Sequence, residues 1–151
     1  LGVVAFARSK MGWEEANSTE INPNTPYPVV DLLPEQKAVR EKGGTMRLGA
    51  HKVFIKLGTR LYEAYKREVV YERFRHRYHI VREYAEKMEN RGLVISAVDE
   101  TGRVINAVEV KDHPFFVGVQ FHPEFKSRPD KPSPVYLAFI EAVARRRLER
   151  S

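Results

Sequence analysis

The stretch FFVGVQFHPEF, residues 115–125, decides how the rest of the chain is read. Its first part is largely apolar, as in a buried strand, and it runs straight into a His-Pro-Glu corner. Proline fixes its own φ and pushes the residue before it into extended backbone. In extended chain, positions i and i+2 point to the same side. The imidazole of His122 and the carboxylate of Glu124 are therefore expected side by side, as a general base held in one tautomer by an acid. An apolar strand with polar residues at its C-terminal end points to an α/β domain with its site at strand ends. Alone, the corner is a modest signal. A His-Pro at a strand end commonly makes only a turn, and the chain has a second one at His113-Pro114.

Outward from the corner, the proline-rich SRPDKPSP leads to a helix over about 133–148, with apolar residues at 135, 139, 140, 143 and 148. Upstream, LVISAVDETGRVINAVEV (93–110) carries two alternating apolar runs around DETG and predicts a hairpin. VVYERFRHRYHI (69–80) alternates apolar and charged residues, so it reads as one strand running into a cluster of Arg and His. VREYAEKMENRG (81–92) reads as a helix closed by Gly92, and GTRLYEAYK (58–66) as a short helix capped by Thr59. HKVFIKL (51–57) predicts a half-exposed strand, and REKGGTMRLG (40–49) a glycine-marked loop. VVDLL is a strand end, and ANSTEINPNTPYP (16–28) is loop. Residues 1–11 follow a helical period that Gly12 can end. Leu1 stands inside that pattern with no cap before it, which predicts a fragment of a longer polypeptide.

Composition narrows the classes. With 151 residues, 42% apolar and 30% charged, the chain fits one soluble domain. No run approaches the roughly 18–20 apolar residues of a membrane span, and no leader pattern opens the chain, so a cytoplasmic location is expected. There is no cysteine, which rules out disulfides and thiolate metal sites in these residues. The net charge of +6 is concentrated in ARRRLERS. Cations there suit a helix C-terminus. Nucleic-acid binding lacks a zinc finger, an RNP-type aromatic motif or a basic stripe interleaved with aromatics. His51, His76 and His79 show no metal-ligand spacing with carboxylates, so no metal site is expected. Trp13, Phe115 and Phe116 read as core.

Context sharpens the corner. GVQFHPEF followed by SRPDKPSP resembles the His-Glu end of a class I (triad) glutamine amidotransferase, of the kind that forms the glutaminase domain of CTP synthases. ANSTE (16–20), GGTMRLG (43–49) and RHRY (75–78) match the same family in the same order. The resemblance implies a flavodoxin-like α/β fold, a mixed sheet flanked by helices, here incomplete and missing its N-terminal strands. It also implies that glutamine supplies ammonia for the ATP-dependent amination of UTP to CTP. His122 then matches the base and Glu124 its orienter. Glu20 matches the acid that binds the amino group of glutamine, and Arg77 a second contact to that substrate. An acid facing an ammonium and an arginine facing a carboxylate suit a zwitterionic ligand. Thr45 and Arg47 match an effector or lid loop linked to GTP. ATP and Mg belong to a synthetase domain that this chain does not contain, so no cofactor is expected in it.

The family's nucleophile is a cysteine on a tight elbow, followed by an apolar helix and an Asn-Ser-Thr-Glu loop. LGVVAFARSKMGWEEANSTE (1–20) resembles that continuation, which places the nucleophile just ahead of Leu1. Without a thiolate there is no thioester intermediate, so the chain alone is expected to be inactive. A parallel sheet deprived of its first strands would expose edges and apolar surface, and self-association is expected. Two functions stay open: the glutaminase part of a CTP synthase, working with a synthetase domain or N-terminal half, and a non-catalytic remnant acting as a binding or self-assembly module.

Overall fold

The computed structural model describes residues 1–33 and 47–149. Helix α1 (Gly2–Met11) buries Val3, Val4, Phe6 and Ala7 on one face. Gly12 ends it in the left-handed region (φ 70°), returning its N–H to the Ala7 carbonyl. The chain continues through β1 (Asn17–Ser18), β2 (Pro28–Leu32), β3 (Arg47–Ile55), α2 (Arg60–Tyr65), β4 (Val69–His76), β5 (Tyr78–Ile80), α3 (Arg82–Glu89), β6 (Leu93–Val98), β7 (Ile105–Val110) and β8 (Val117–Val119). A short 3-10 turn (Pro123–Phe125) and the long helix α4 (Pro134–Leu148) complete it.

Two sheets result. The smaller runs β1-β2-β5, with β1 parallel and β5 antiparallel to β2. The larger runs β4-β3-β6-β7-β8, and every neighbouring pair in it is antiparallel. The mixed character expected of the sheet is thus present, with β1–β2 the one parallel pairing among the described residues. A correction concerns 69–80. The segment is two strands, broken at Arg77, and they join different sheets. Val70, Glu72 and Phe74 alternate inward along β4, whereas His79 and Ile80 are buried in succession. A slip of one residue turns the other face of a strand to the core, and the break lets each half serve its own sheet.

The hairpin β6–β7 is the common wall between two apolar clusters. On one side Leu93, Ile105 and Val108 pack with α1, Val29, Ile80 and Met88. Trp13 covers that cluster, stacked on Tyr27 with centroids 5.3 Å apart and met edge-on by Tyr84 at 5.5 Å. On the other side Ala97 and Ala107 pack with Val53, Leu61, Phe74, Phe121 and Val135.

Helix α2 is capped twice. Thr59 Oγ1 accepts from Tyr62 N–H at 3.1 Å. The buried Glu109 carboxylate accepts from the N–H groups of Arg60 (3.0 Å) and Leu61 (2.9 Å). An anion there meets both the orphan donors and the positive end of the helix. Helix α4 buries Val135 but leaves Tyr136, Leu137, Phe139, Ile140 and Val143 exposed. No helix among the described residues is long and apolar enough to cross a membrane.

Candidate functional site

The corner after β8 holds the predicted pair. His122 Nδ1 lies 2.6 Å from Glu124 Oε1. The route to that contact differs from the one expected. His122 is extended (φ −108°, ψ 90°), but Pro123–Phe125 form a turn of 3-10 helix rather than continuing the strand. Proline suits the first position of such a turn because its missing N–H has no partner to lose there. The turn folds the carboxylate back onto the ring.

Several contacts fix the corner against β4. The His122 N–H donates to the Arg73 carbonyl at 2.9 Å. Lys126 ion-pairs with Glu72 at 3.2 Å and also donates to the Tyr71 carbonyl. Glu72 is itself buried and accepts from the Tyr65 hydroxyl at 3.0 Å. Burial first, and then Glu72, push the Tyr65 phenol up, so it stays a donor. The Phe125 ring stacks on His122 with centroids 5.2 Å apart.

Partial desolvation pulls the Glu124 carboxyl upward, but its own backbone N–H and the His122 ring outweigh that and hold it below the usual range. A carboxylate accepting from Nδ1–H leaves the lone pair on Nε2, the form a general base requires. The His122 side chain remains 35% exposed, so that nitrogen is reachable. One more neighbour carried no signal in the sequence. Tyr136, in the first turn of α4, points its hydroxyl at Glu124 Oε2 at 3.5 Å. Its phenol is raised by partial desolvation and by Glu124.

Glu20 and Arg77 are both exposed, at one end of the small sheet. The registers Ser18↔Val30 and Leu32↔Tyr78 put the C-terminal ends of β1 and β2 beside the start of β5. Glu20 therefore follows β1 at the same end of the sheet where Arg77 precedes β5, on the opposite side of β2. The Glu20 N–H donates to Ser18 Oγ at 3.2 Å, which leaves its carboxylate uninvolved in that turn. Along β4, about 13 Å of extended chain separates Arg77 from Arg73, the residue that holds His122.

Arg47 is directed inward. Its guanidinium lies 4.3 Å from the Phe74 ring centroid and donates to Asn106 Oδ1 at 3.1 Å. Thr45 lies outside the described residues. Beside Arg47, His76 and His79 meet with ring centroids 4.8 Å apart. Neither has a hydrogen-bond partner on its ring nitrogens among the described residues. Burial first, then His79, Arg47 and His122, push His76 down to about 3. Burial first, then Arg47, push His79 down to about 4, against Asp99. Both rings are neutral at ordinary pH. No group of three or more His, Cys, Asp or Glu able to hold a metal ion occurs among the described residues.

Comparison with known proteins identifies the family. The family description "Glutamine amidotransferase class-I" matches residues 3–142. A CTP synthase of Archaeoglobus fulgidus is 54% identical over 149 residues, covering 99% of this chain and 28% of the relative. A CTP synthase of Saccharolobus solfataricus is 55% identical over 144 residues, covering 95% of this chain and 27% of the relative. The chain thus spans little more than a quarter of the length of these relatives. Among solved structures, the glutaminase domain of the Trypanosoma brucei CTP synthase, with bound acivicin, superposes with a TM-score of 0.88 at 39% identity. That match covers 95% of this chain and 56% of the other. The His-Glu corner, the fold that carries it and the match over nearly the whole length place this chain in the class-I glutamine amidotransferase family.

Proposed function

We propose that this chain forms the His-Glu part of the glutaminase site of a CTP synthase. In that role His122 takes the proton from a cysteine thiol, Glu124 holds the ring, and Glu20 and Arg77 bind the amino and carboxylate groups of glutamine. The released ammonia serves the ATP-dependent conversion of UTP to CTP in a synthetase domain. The observation that carries this reading is the 2.6 Å contact between His122 Nδ1 and Glu124, on a ring that remains accessible. The 151 residues contain no cysteine, so in this reading the nucleophile lies outside them.

Three measurements test it. The chain alone should hydrolyse glutamine no faster than background. Co-expression with the part of the Archaeoglobus fulgidus relative that precedes the matched region should restore glutamine-dependent ammonia release. His122→Ala in that assembly should lower the rate by about a hundredfold or more, the usual weight of a general base. Restored activity that survives His122→Ala would refute the assignment.

GTP control through Thr45 and Arg47 belongs to the same proposal. The inward contacts of the Arg47 guanidinium make Thr45 the better side chain to vary first in testing GTP dependence. A second reading, a non-catalytic binding or self-assembly module, is favoured by the absent thiol together with the exposed apolar face of α4. Genomic sequence upstream separates the two readings. An in-frame extension with a cysteine elbow supports the enzyme, and an independent start supports the module.

A further inference from the structure

The backbone around His122 is held from two strands that are not neighbours. Its own N–H bonds to Arg73 on β4, at 2.9 Å. Two residues earlier, the Gln120 N–H bonds to the Asn106 carbonyl on β7, at 2.8 Å. In the larger sheet β3 and β6 stand between those strands. The position of the ring therefore depends on how far β4 stands from β7.

The sheet ladder fixes that separation poorly. The β3–β4 hairpin is paired over eight positions, from Arg47↔His76 to Phe54↔Val69. Among the described residues its ladder reaches the rest of the sheet only at Phe54↔Val98 and Ile55↔Ala97, at its far end, beside a bond from the Lys56 N–H to the Ser96 carbonyl. Among those residues, the end that carries Arg73 and His76 has no ladder bond to β6 or β7. Arg47 spans this opening. Its guanidinium sits over Phe74 of β4 at 4.3 Å and donates to Asn106 of β7 at 3.1 Å. It thus touches the same two strands that hold His122. Asn106 is wholly buried, and a side-chain acceptor there has no role in strand pairing.

We propose that Arg47 and Asn106 form a cross-brace that positions His122 against Glu124 by setting the distance between β4 and β7. Both are positioning residues, acting through Arg73 and Gln120 without touching a reacting atom. The inference rests on reading His122 as the base of the proposed site, and it concerns what holds that base in place. Asn106→Leu keeps the volume and removes the acceptor. Asn106→Asp keeps an acceptor for the guanidinium. Arg47→Met removes the donor and the charge while leaving apolar bulk on Phe74.

The test reads His122 directly, in this chain and without turnover, from its two ring nitrogen shifts and the exchange rate of its Nδ1 proton by NMR. In the unaltered chain the Nδ1–H tautomer should dominate, with a protected proton. Asn106→Leu and Arg47→Met should both shift the ring toward tautomer averaging and speed that exchange by about tenfold, the weight of one hydrogen bond. Asn106→Asp should restore the original pattern, and His113, at a distant turn, should not change in any variant. Unaltered His122 signals in folded Asn106→Leu would overturn the proposal, as would failure of Asn106→Asp to restore them. Should both disrupting variants fail to fold, the pair supports the fold as a whole and the proposal is equally lost. Because the ring is observed rather than activity, a failed reconstitution of glutaminase leaves this result standing on its own.

Discussion

At the scale of single residues, Pro123 begins the 3-10 turn that folds Glu124 onto the His122 ring at 2.6 Å. The geometry was legible only in part. The extended-chain rule gave the right partners, but a 3-10 turn brings them together. Asn106 carried no sequence signal, since a lone Asn in an apolar strand has no spacing to betray it. The buried histidines were visible only as part of a basic cluster, and their neutrality follows from desolvation that no motif encodes. It has a measurable consequence. His76 and His79 have folded pKa values depressed to about 3 and about 4, so between those values and about 6.5 the unfolded chain binds more protons. Their neutral burial favours folding above pH 6.5, and that contribution is lost as pH falls toward 4. We expect stability to fall on acidification by up to about 1.4 kcal/mol per pH unit for each histidine. His79→Leu should flatten that slope in urea titrations made at several pH values. An unchanged slope would show that the rings accept protons in place.

At the scale of elements, the helices and the 93–110 hairpin followed from periodicity and caps. The split of 69–80 did not, because an alternating pattern does not show when a chain leaves one sheet for another. Capping of α2 was half legible. Thr59 stood in the expected place, but Glu109 lies 50 residues away and is brought there only by the tertiary fold. The two caps should differ in weight. Thr59→Ala should cost about 1 kcal/mol, as for other cap losses. Glu109→Ala leaves two buried N–H groups unpaired and should cost more, about 2–4 kcal/mol at 1–3 kcal/mol for each orphaned donor less partial hydration. Chemical denaturation of the two variants checks the order, and equal losses would mean that water replaces the carboxylate.

At the scale of the whole molecule, the class-I amidotransferase fold was legible from four short motifs in order, whereas strand directions within the sheets were not. On α4, Phe139 is 47% and Ile140 61% exposed. Contiguous apolar patches of this kind mark interaction surfaces. We expect concentration-dependent association by light scattering, weakened by Ile140→Glu. A monodisperse monomer with little dye-accessible apolar surface would argue against it.

The Trp13–Tyr27 stack gives the molecule a built-in optical asymmetry. Trp13 is the sole tryptophan, and it belongs entirely to the cluster between α1, the small sheet and α3. The opposite cluster, which backs the His122 corner, contains Phe74, Phe121 and tyrosines but no indole. Tryptophan emission, excited selectively over tyrosine, therefore reports one side of the β6–β7 wall and is blind to the other. A fluorescence melt and a far-UV melt that coincide would establish that the two sides unfold as one cooperative unit. Divergent curves would mean that the side bearing the His122–Glu124 pair can loosen while the indole stays dark to the event.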